Sequence, residues 1–551
     1  MKENKKNTAT NLFISGVVIL TVANILVKTV GLFLKIALNR VVGSVGAGYY
    51  SSAYEIYAFL HIISTTGLPV ALSIMVSKSR ASGRFKEAKK IFNVSIIMFI
   101  IIGTILAVTM ILLSRNVADL ISAPATDIAI IAIAPTILFV CMSCCFRGFF
   151  QGHQMMKQTA VSQIIEAVSK VLIGVGFAFW AKSQGYEDHI VAAFTILGVT
   201  IGVFLGMVYL YIKKLFFKDK AINEQYLLEL NCNNGYCVCE NNECKSTKRL
   251  LKELFTIAIP ITISSAVLSL TVIIDTLMIQ GRLLASGMEE NLVRIYYGDY
   301  TSLVISMTTL PTVLFYPIAS ALVPLISTAV AANDSVASEK MRGLSMRVIN
   351  MIAIPCAIGL SLFSYPILEL MMFEHKSVVT AAPWLSVSAI SVIFLGIIAS
   401  TNAFLNTTGK QRLPIISMLV GAGAKLISNY FLVEQWGMYG APISTIICYL
   451  CAASMNIYFT IKYVGKLPSI KKSILLPFLC GIIAIGGSAL IYWGLTTFMM
   501  SRIATVICIL SSVLVYLLLI LKAKIVTEEE IAMLPKGENI IKLLKKVRFL
   551  S

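Results

Sequence analysis

A set of ionisable residues lies where this chain is otherwise apolar, and their types decide which chemistry is open to it. Lys28, Lys35 and Arg40 fall in or at the end of one long apolar run, and Glu55 and His61 fall in the next. Lys170, Asp275 and Lys425 follow in later runs. A Lys or Arg at the centre of hydrocarbon costs about 2.5–3.5 kcal/mol on insertion scales, so such groups normally face a wet cavity or a partner. Lys28 and Lys35 are seven residues apart and share one helix face, roughly 10 Å apart along its axis. Arg40 marks the outer end of that helix. Glu55 begins the returning one at similar depth, which makes it a partner for Arg40 or Lys35. Cations outnumbering acids at this depth point to an anionic cargo. His61 could carry a proton near neutral pH, and Glu55 and Asp275 are the acids able to couple to Na+ or H+. Glu166 and Lys170, four apart, share a face and can pair. Lys425 has Gly421 at the matching place and no such acid. Each residue also has a structural reading: a snorkelling lysine, an interfacial Arg40 anchor, a packed His61, a paired Asp275.

Cys232, Cys237, Cys239 and Cys244 form the densest group among twelve cysteines, with intervening gaps of four, one and four residues. They could give a four-thiolate zinc site, although the gaps are not the paired two-residue kind of zinc ribbons. Free thiols are the alternative in a reducing compartment. The other eight cysteines lie in apolar runs as small hydrophobic residues. No phosphate-binding loop of the ATPase type occurs, and Gly43-Ser44-Val45-Gly46-Ala47-Gly48 reads as a turn between two spans. No other cofactor is expected. Energy must then come from an ion gradient, the membrane potential or the cargo's own gradient. An enzyme acting on lipid-linked sugar would need convergent carboxylates, and Glu187-Asp188-His189 is too thin a cluster for that.

The elements that position these residues follow from composition. With 57% hydrophobic residues, 13% charged and a mean hydropathy of +0.84, the chain is an all-α integral membrane protein, since a soluble domain carries about a quarter charged residues. Its apolar runs approach the ~20 residues a helix needs to cross hydrocarbon, whereas a β-barrel would show ~10-residue alternating segments. Fourteen spans are read, the first near 14–38 and the last near 503–521. A net charge of +19 could suggest nucleic acid, but its placement excludes that reading. With the N-terminus inside, 35 of the 46 Lys and Arg lie on the inner side, seven on the outer side and four within spans. This is the positive-inside pattern. It puts both termini in the cytoplasm and brings bases near anionic lipid heads. The first apolar stretch is too long for a signal peptide and lacks a small-residue cleavage pattern, so it stays as a span.

Sliding one half on the other reveals a repeat. At an offset of 255, Phe149 falls on Phe404, Lys157 on Arg412, Ser162 on Ser417, Ala167 on Ala422 and Lys170 on Lys425. Six spans per half is an even number, so the repeat is parallel, about an axis along the membrane normal. The expected domains are a six-helix lobe over 1–212, a cytoplasmic linker with the cysteines over 213–253, a second six-helix lobe over 254–461, two extra helices over 462–521 and a cytoplasmic tail over 522–551, with the lobes around a central cavity. Gly198, Gly202 and Gly206 lie on one face of the sixth span and allow a neighbouring backbone to come close. Prolines such as Pro135, Pro355 and Pro442 should bend several spans.

Gly31, Arg40, Gly43, Gly46, Gly48, Tyr49, Tyr57 and the string Gly67-Leu68-Pro69-Val70-Ala71-Leu72-Ser73 resemble the opening of the stage V sporulation protein B family, close to the lipid II flippases. Arg147-Gly148-Phe149-Phe150-Gln151-Gly152 is a second matching patch. These families belong to the multidrug/oligosaccharidyl-lipid/polysaccharide (MOP) exporter superfamily. The resemblance implies alternating-access flipping of an undecaprenyl-diphosphate-linked saccharide, the peptidoglycan precursor above all, in a bacterial inner membrane. It places first-helix cations for the diphosphate at Lys35 and Arg40 and a groove for the polyprenyl tail at the last two spans. The cysteine loop lies outside the family pattern. Lys28, Lys35, Arg40, Glu55, Lys170 and Lys425 are therefore the expected cavity residues. The alternatives are a cation-coupled exporter of drugs or organic cations in the same superfamily, and a flippase for another polysaccharide precursor.

Overall fold

Hydrocarbon offers the backbone no hydrogen-bonding partner, so apolar runs of this length must satisfy their own N–H and C=O groups as helices. The computed structural model describes residues 2–82, 84–153, 155–217, 245–331, 335–371, 375–465 and 467–523, and among them it is helical without a strand. The chain separates into two compact units, Met1–Thr276 and Leu277–Ser551.

In the first unit α1 (Lys2–Thr65), α2 (Gly67–Ala81), α3 (Phe85–Leu112) and the short α4 (Ser114–Leu120) precede α5 (Asp127–Gly152), α6 (Met156–Ser183) and α7 (Asp188–Leu215). A further helix, α8 (Thr247–Ala285), starts there and runs across the unit border. Gly43, with φ 72° and ψ 179°, interrupts α1. Only glycine takes that left-handed backbone without strain, so α1 is two helices in series, broken at the turn read from the sequence. α5 forms the centre of the unit's core through Ile130, Ile133, Ile137, Cys141 and Cys145. α3, in contrast, turns Ile97, Ile101, Ile105 and Leu112 outward.

Small residues set how closely the helices pack. A Cβ on Gly198 would lie 2.3 Å from Gly174 Cα, and one on Gly202 would lie 2.8 Å from the Lys170 amide nitrogen. The glycine face expected on the sixth span is thus the face that α7 presents to α6. α5 meets α2 in the same manner, Gly148 against the Pro69 carbonyl and Gly152 against Val76.

The second unit continues through α9 (Glu290–Asp299), a π-helical segment Tyr300–Ile305, α10 (Ser306–Ala331), α11 (Ser335–Leu362), α12 (Ser364–Leu370), α13 (His375–Ser388) and α14 (Ser391–Thr407). After these come α15 (Arg412–Trp436), α16 (Gly440–Tyr463), a π-helical segment Lys471–Leu475, α17 (Leu476–Leu495) and α18 (Ser501–Lys522). Gly437, at φ 57°, ends α15 and lets α16 fold back along it. α17 and its connection to α18 display Leu490, Trp493 and Phe498 outward.

All fourteen apolar runs fall on helix. Among the described residues, nine stretches are long and apolar enough by themselves to cross a membrane, or ten with the pair α13–α14, which is bent by 41°. The difference from fourteen has a simple origin at one place: Arg412–Tyr463 passes as one stretch of 52 residues but holds two helices reversed at Gly437. The border between units falls at 276/277, beyond the linker read over 213–253, because Leu250, Leu254 and Ala258 of α8 join the first unit's core.

Candidate functional site

The polar interior of the first unit is built by three helices. After its break, α1 carries an aromatic ladder: ring centroids are 5.6 Å apart for Tyr50–Tyr54, 5.7 Å for Tyr54–Tyr57 and 5.5 Å for Tyr57–His61. Spacings of three and four residues put these rings along one helix face, and His61 stands at its end. α5 contributes Arg147, whose Nη2 donates to Glu166 Oε2 on α6 at 2.8 Å and whose Nε donates to Ser162 Oγ at 3.2 Å. The pair is largely shielded, with side chains 11% and 16% exposed.

Lys170 stands one turn beyond Glu166 and, like His61, lies within electrostatic reach of it. Tyr57 is in the same field. Arg147 and Lys170 therefore both lie beside one carboxylate, with the His61 imidazole next to it. Such a cluster ties Arg147 to Glu166 and leaves Lys170 and His61 beside the same carboxylate.

The expected residues are distributed unevenly around this cluster. His61 and Lys170 are brought together, through Glu166. Arg40 is exposed on α1 before its break at Gly43 and Glu55 is half-buried on α1 after it; neither is without a partner, and Glu55 lies within reach of Tyr50. The side chains of Lys28 and Lys35 lie outside the described residues, as do Cys232, Cys237, Cys239 and Cys244. Among the described residues no group of three or more His, Cys, Asp or Glu could hold a metal ion. Asp275 is buried near the end of the first unit and is not without a partner.

In the second unit Lys425 is only 2% exposed on α15 and is engaged by a partner, as a buried ammonium must be. One turn on, Asn429 accepts from the Ser444 hydroxyl of α16. A second polar knot lies nearby in sequence: Asn456 Nδ2 of α16 donates to Asn402 Oδ1 at 2.7 Å and Thr401 Oγ1 at 3.2 Å on α14.

Arg147 was missing from the residues expected in the cavity. Sequence reading takes it only as the first residue of the patch Arg147-Gly148-Phe149-Phe150-Gln151-Gly152. Glu166 was paired with Lys170 on its own helix, whereas its hydrogen-bonded partner is Arg147 across the α5–α6 interface. The available signal was an arginine inside an apolar run followed by an equally isolated acid in the next.

Long apolar helices with ionisable groups held among them are the architecture of a multi-pass membrane protein. The chain belongs to the polysaccharide biosynthesis protein family, whose model matches residues 13–330; a MatE model matches residues 300–431. Over 541 residues it is 24% identical to the uncharacterized membrane protein YabM of Bacillus subtilis, covering 96% of each chain. Over 486 residues it is 24% identical to the lipid II flippase MurJ of the same organism, covering 85% of this chain and 87% of that one. Among solved structures, lipid II flippase MurJ in an inward closed conformation superposes with a TM-score of 0.62 at 16% identity, over 91% of this chain and 98% of the other. An inward-facing MATE family multidrug resistance transporter gives 0.61 at 14%, over 84% and 95%. At these identities the structural likeness is one of fold. Of these, MurJ is a flippase and the MATE family protein a transporter, neither an enzyme.

Proposed function

We propose that the chain is a flippase that moves a polyprenyl-diphosphate-linked saccharide, the peptidoglycan precursor lipid II, across the bacterial inner membrane by alternating access. The observation that carries this reading is the pair of lysines at matching places of the repeat, Lys170 half-buried on α6 and Lys425 buried on α15. Ammonium groups kept at depth in both halves suit a cargo whose head carries two phosphates. Lys28, Lys35 and Arg40 would receive the diphosphate first, and Glu55, His61 or Asp275 would couple the cycle to Na+ or H+. Lobes over 1–212 and 254–461 would enclose the chamber, with 462–521 lying beside the prenyl tail and both termini in the cytoplasm.

The test is reconstitution of the pure protein in liposomes, following the sidedness of labelled lipid-linked precursors. Lys28→Gln and Arg40→Gln should abolish transfer while the protein still inserts and stays monodisperse; normal flipping in both would defeat the site assignment. The MatE match over 300–431 favours a second reading, a cation-coupled exporter of drugs or organic cations. Efflux of a cationic dye that stops when ion gradients are collapsed, with no transfer of lipid-linked precursor, would select that reading.

A further inference from the structure

α6 and α7 leave a groove of about 650 Å³ between them, lined by Ile173, Gly176, Phe177 and Trp180 of α6 and Phe194 of α7. Both helices are long and apolar enough to span a membrane, so the groove lies at the depth of the hydrocarbon. Its volume falls within the roughly 300–1,000 Å³ of ligand pockets, well above that of a packing flaw. Glycine makes the floor. Gly174 turns toward α7, where a Cβ would lie 3.1 Å from the Thr195 carbonyl oxygen, whereas a Cβ on Gly176 would meet nothing within 4 Å. The walls are aromatic and brace one another. The Phe194 ring centroid lies 5.2 Å from Trp180, edge to face, 6.5 Å from Phe177 and 5.9 Å from Tyr186, which itself stands 6.2 Å from Trp180. Mutual contacts of this kind hold each ring in one orientation, so the groove exists before anything enters it.

The described lining residues carry no charge, and the one polar side-chain group among them is the Trp180 indole N–H. A saccharide would lose its hydrogen bonds to water there without replacement. A hydrocarbon chain gives up no such bonds and supplies the dispersion contacts that the lining atoms otherwise lack. The rest of the helix face selects among chains. Glu166, Lys170, Ile173, Phe177 and Trp180 follow one another at steps of four, three, four and three residues, which lays them along one side of α6. Ile173 and Trp180 come about 5 Å and about 15 Å beyond Lys170 along the axis, while Glu166 is hydrogen-bonded to Arg147. An ammonium with apolar rings beyond it complements an amphiphile with an anionic head. Isoprene units are flat, each a methyl-bearing C=C group that lies face-on against a ring; a saturated acyl chain has no such face.

We propose that this groove binds the stretch of a polyprenyl chain next to its phosphate. The inference rests on the flippase reading and adds to it a contact for the chain in the first unit, apart from the last two spans. The full-length protein in detergent is titrated with undecaprenyl monophosphate, with its hydrogenated counterpart or with phosphatidylglycerol, and bound lipid is read by native mass spectrometry. Transfer of a labelled undecaprenyl-diphosphate saccharide is followed in liposomes alongside. Undecaprenyl monophosphate should bind the most tightly. Gly176→Phe, which fills the floor, should weaken it about tenfold, the worth of two displaced carbons, and Trp180→Ala about fivefold. Phe179→Ala, exposed on α6 but outside the groove, should leave it unchanged. Trp180 is half exposed, so its variant reads the site even if Gly176→Phe fails to fold. Equal binding of undecaprenyl monophosphate and either competitor makes the groove a general chain site and overturns the proposal, as does undiminished affinity in both groove variants. The two readings fail separately. Transfer by the unaltered protein with binding insensitive to both variants removes the groove and keeps the flippase; groove-sensitive binding without transfer removes the flippase and keeps the groove.

Discussion

At the offset of 255 the two halves of the chain repeat their helices but not their chemistry. Arg147 and Glu166, an ion pair bridging α5 and α6, correspond to Asn402 and Gly421. In the second half the polar bond made by that first position goes instead to a neutral amide, Asn456 on α16. Lysine is kept at 170 and 425, half-buried in one and fully buried in the other. Close backbone packing has moved too. α7 supplies Gly198, Gly202 and Gly206 toward α6, whereas their counterparts on α16 are Ala453, Ile457 and Ile461 and the small residue is Gly421 on α15, whose Cβ would lie 2.6 Å from the Cys448 carbonyl. A repeat preserves what positions helices, namely one small residue per crossing. It leaves the buried charge free to diverge.

Unequal costs of disrupting the two polar bridges would establish that divergence. Arg147→Met leaves Glu166 in a shielded place without its hydrogen-bonded partner and should cost about 3–5 kcal/mol, while Arg147→Met with Glu166→Met recovers most of it. Asn402→Leu in the second half should cost only about 1–3 kcal/mol, the penalty of an unmet amide. Thermal unfolding in detergent reads both, and equal losses would erase the distinction.

Transport sharpens the lysine comparison. Lys170→Gln and Lys425→Gln should each slow lipid transfer in liposomes by about 10- to 100-fold, the worth of a charged hydrogen bond. A Lys425→Gln protein that flips normally but melts early would make the second lysine structural and confine the cargo role to the first half.

The smallest effects concern packing. Gly202→Ala and Gly421→Ala should each destabilise by about 1–3 kcal/mol through overpacking. Gly423→Ala, with nothing within 4 Å of its Cβ, should be neutral or stabilising by a few tenths to about 1 kcal/mol. Melting temperatures that failed to separate Gly421 from Gly423 would contradict the close approach of α15 and α16.

What the sequence revealed depended on the range of the interaction. Helix positions come from local apolar length, so all fourteen runs fall on helix, and the glycine stripe at 198–206 announced its face by spacing alone. Arg147 and Glu166 are 19 residues apart on different helices, and no local spacing joins them. The Asn402–Asn456 bridge was invisible for another reason: neutral amides do not stand out in an apolar run as charges do. Leu250, Leu254 and Ala258 at the start of α8 join the first unit's core, a burial that the polarity of the preceding segment does not announce.

Where α7 meets α6 at Gly174 and Gly198, main chain lies against main chain. Sliding motions in proteins are accommodated by side chains swapping rotamers, and at this crossing there are none to swap, although Phe177 and Trp180 of α6 meet Phe194 of α7 elsewhere along the seam. The two helices must therefore travel as one plank, carrying Glu166 and Lys170 along together. The pivot for any rocking of this half has to be sought elsewhere, with the interrupted first helix the natural place to look.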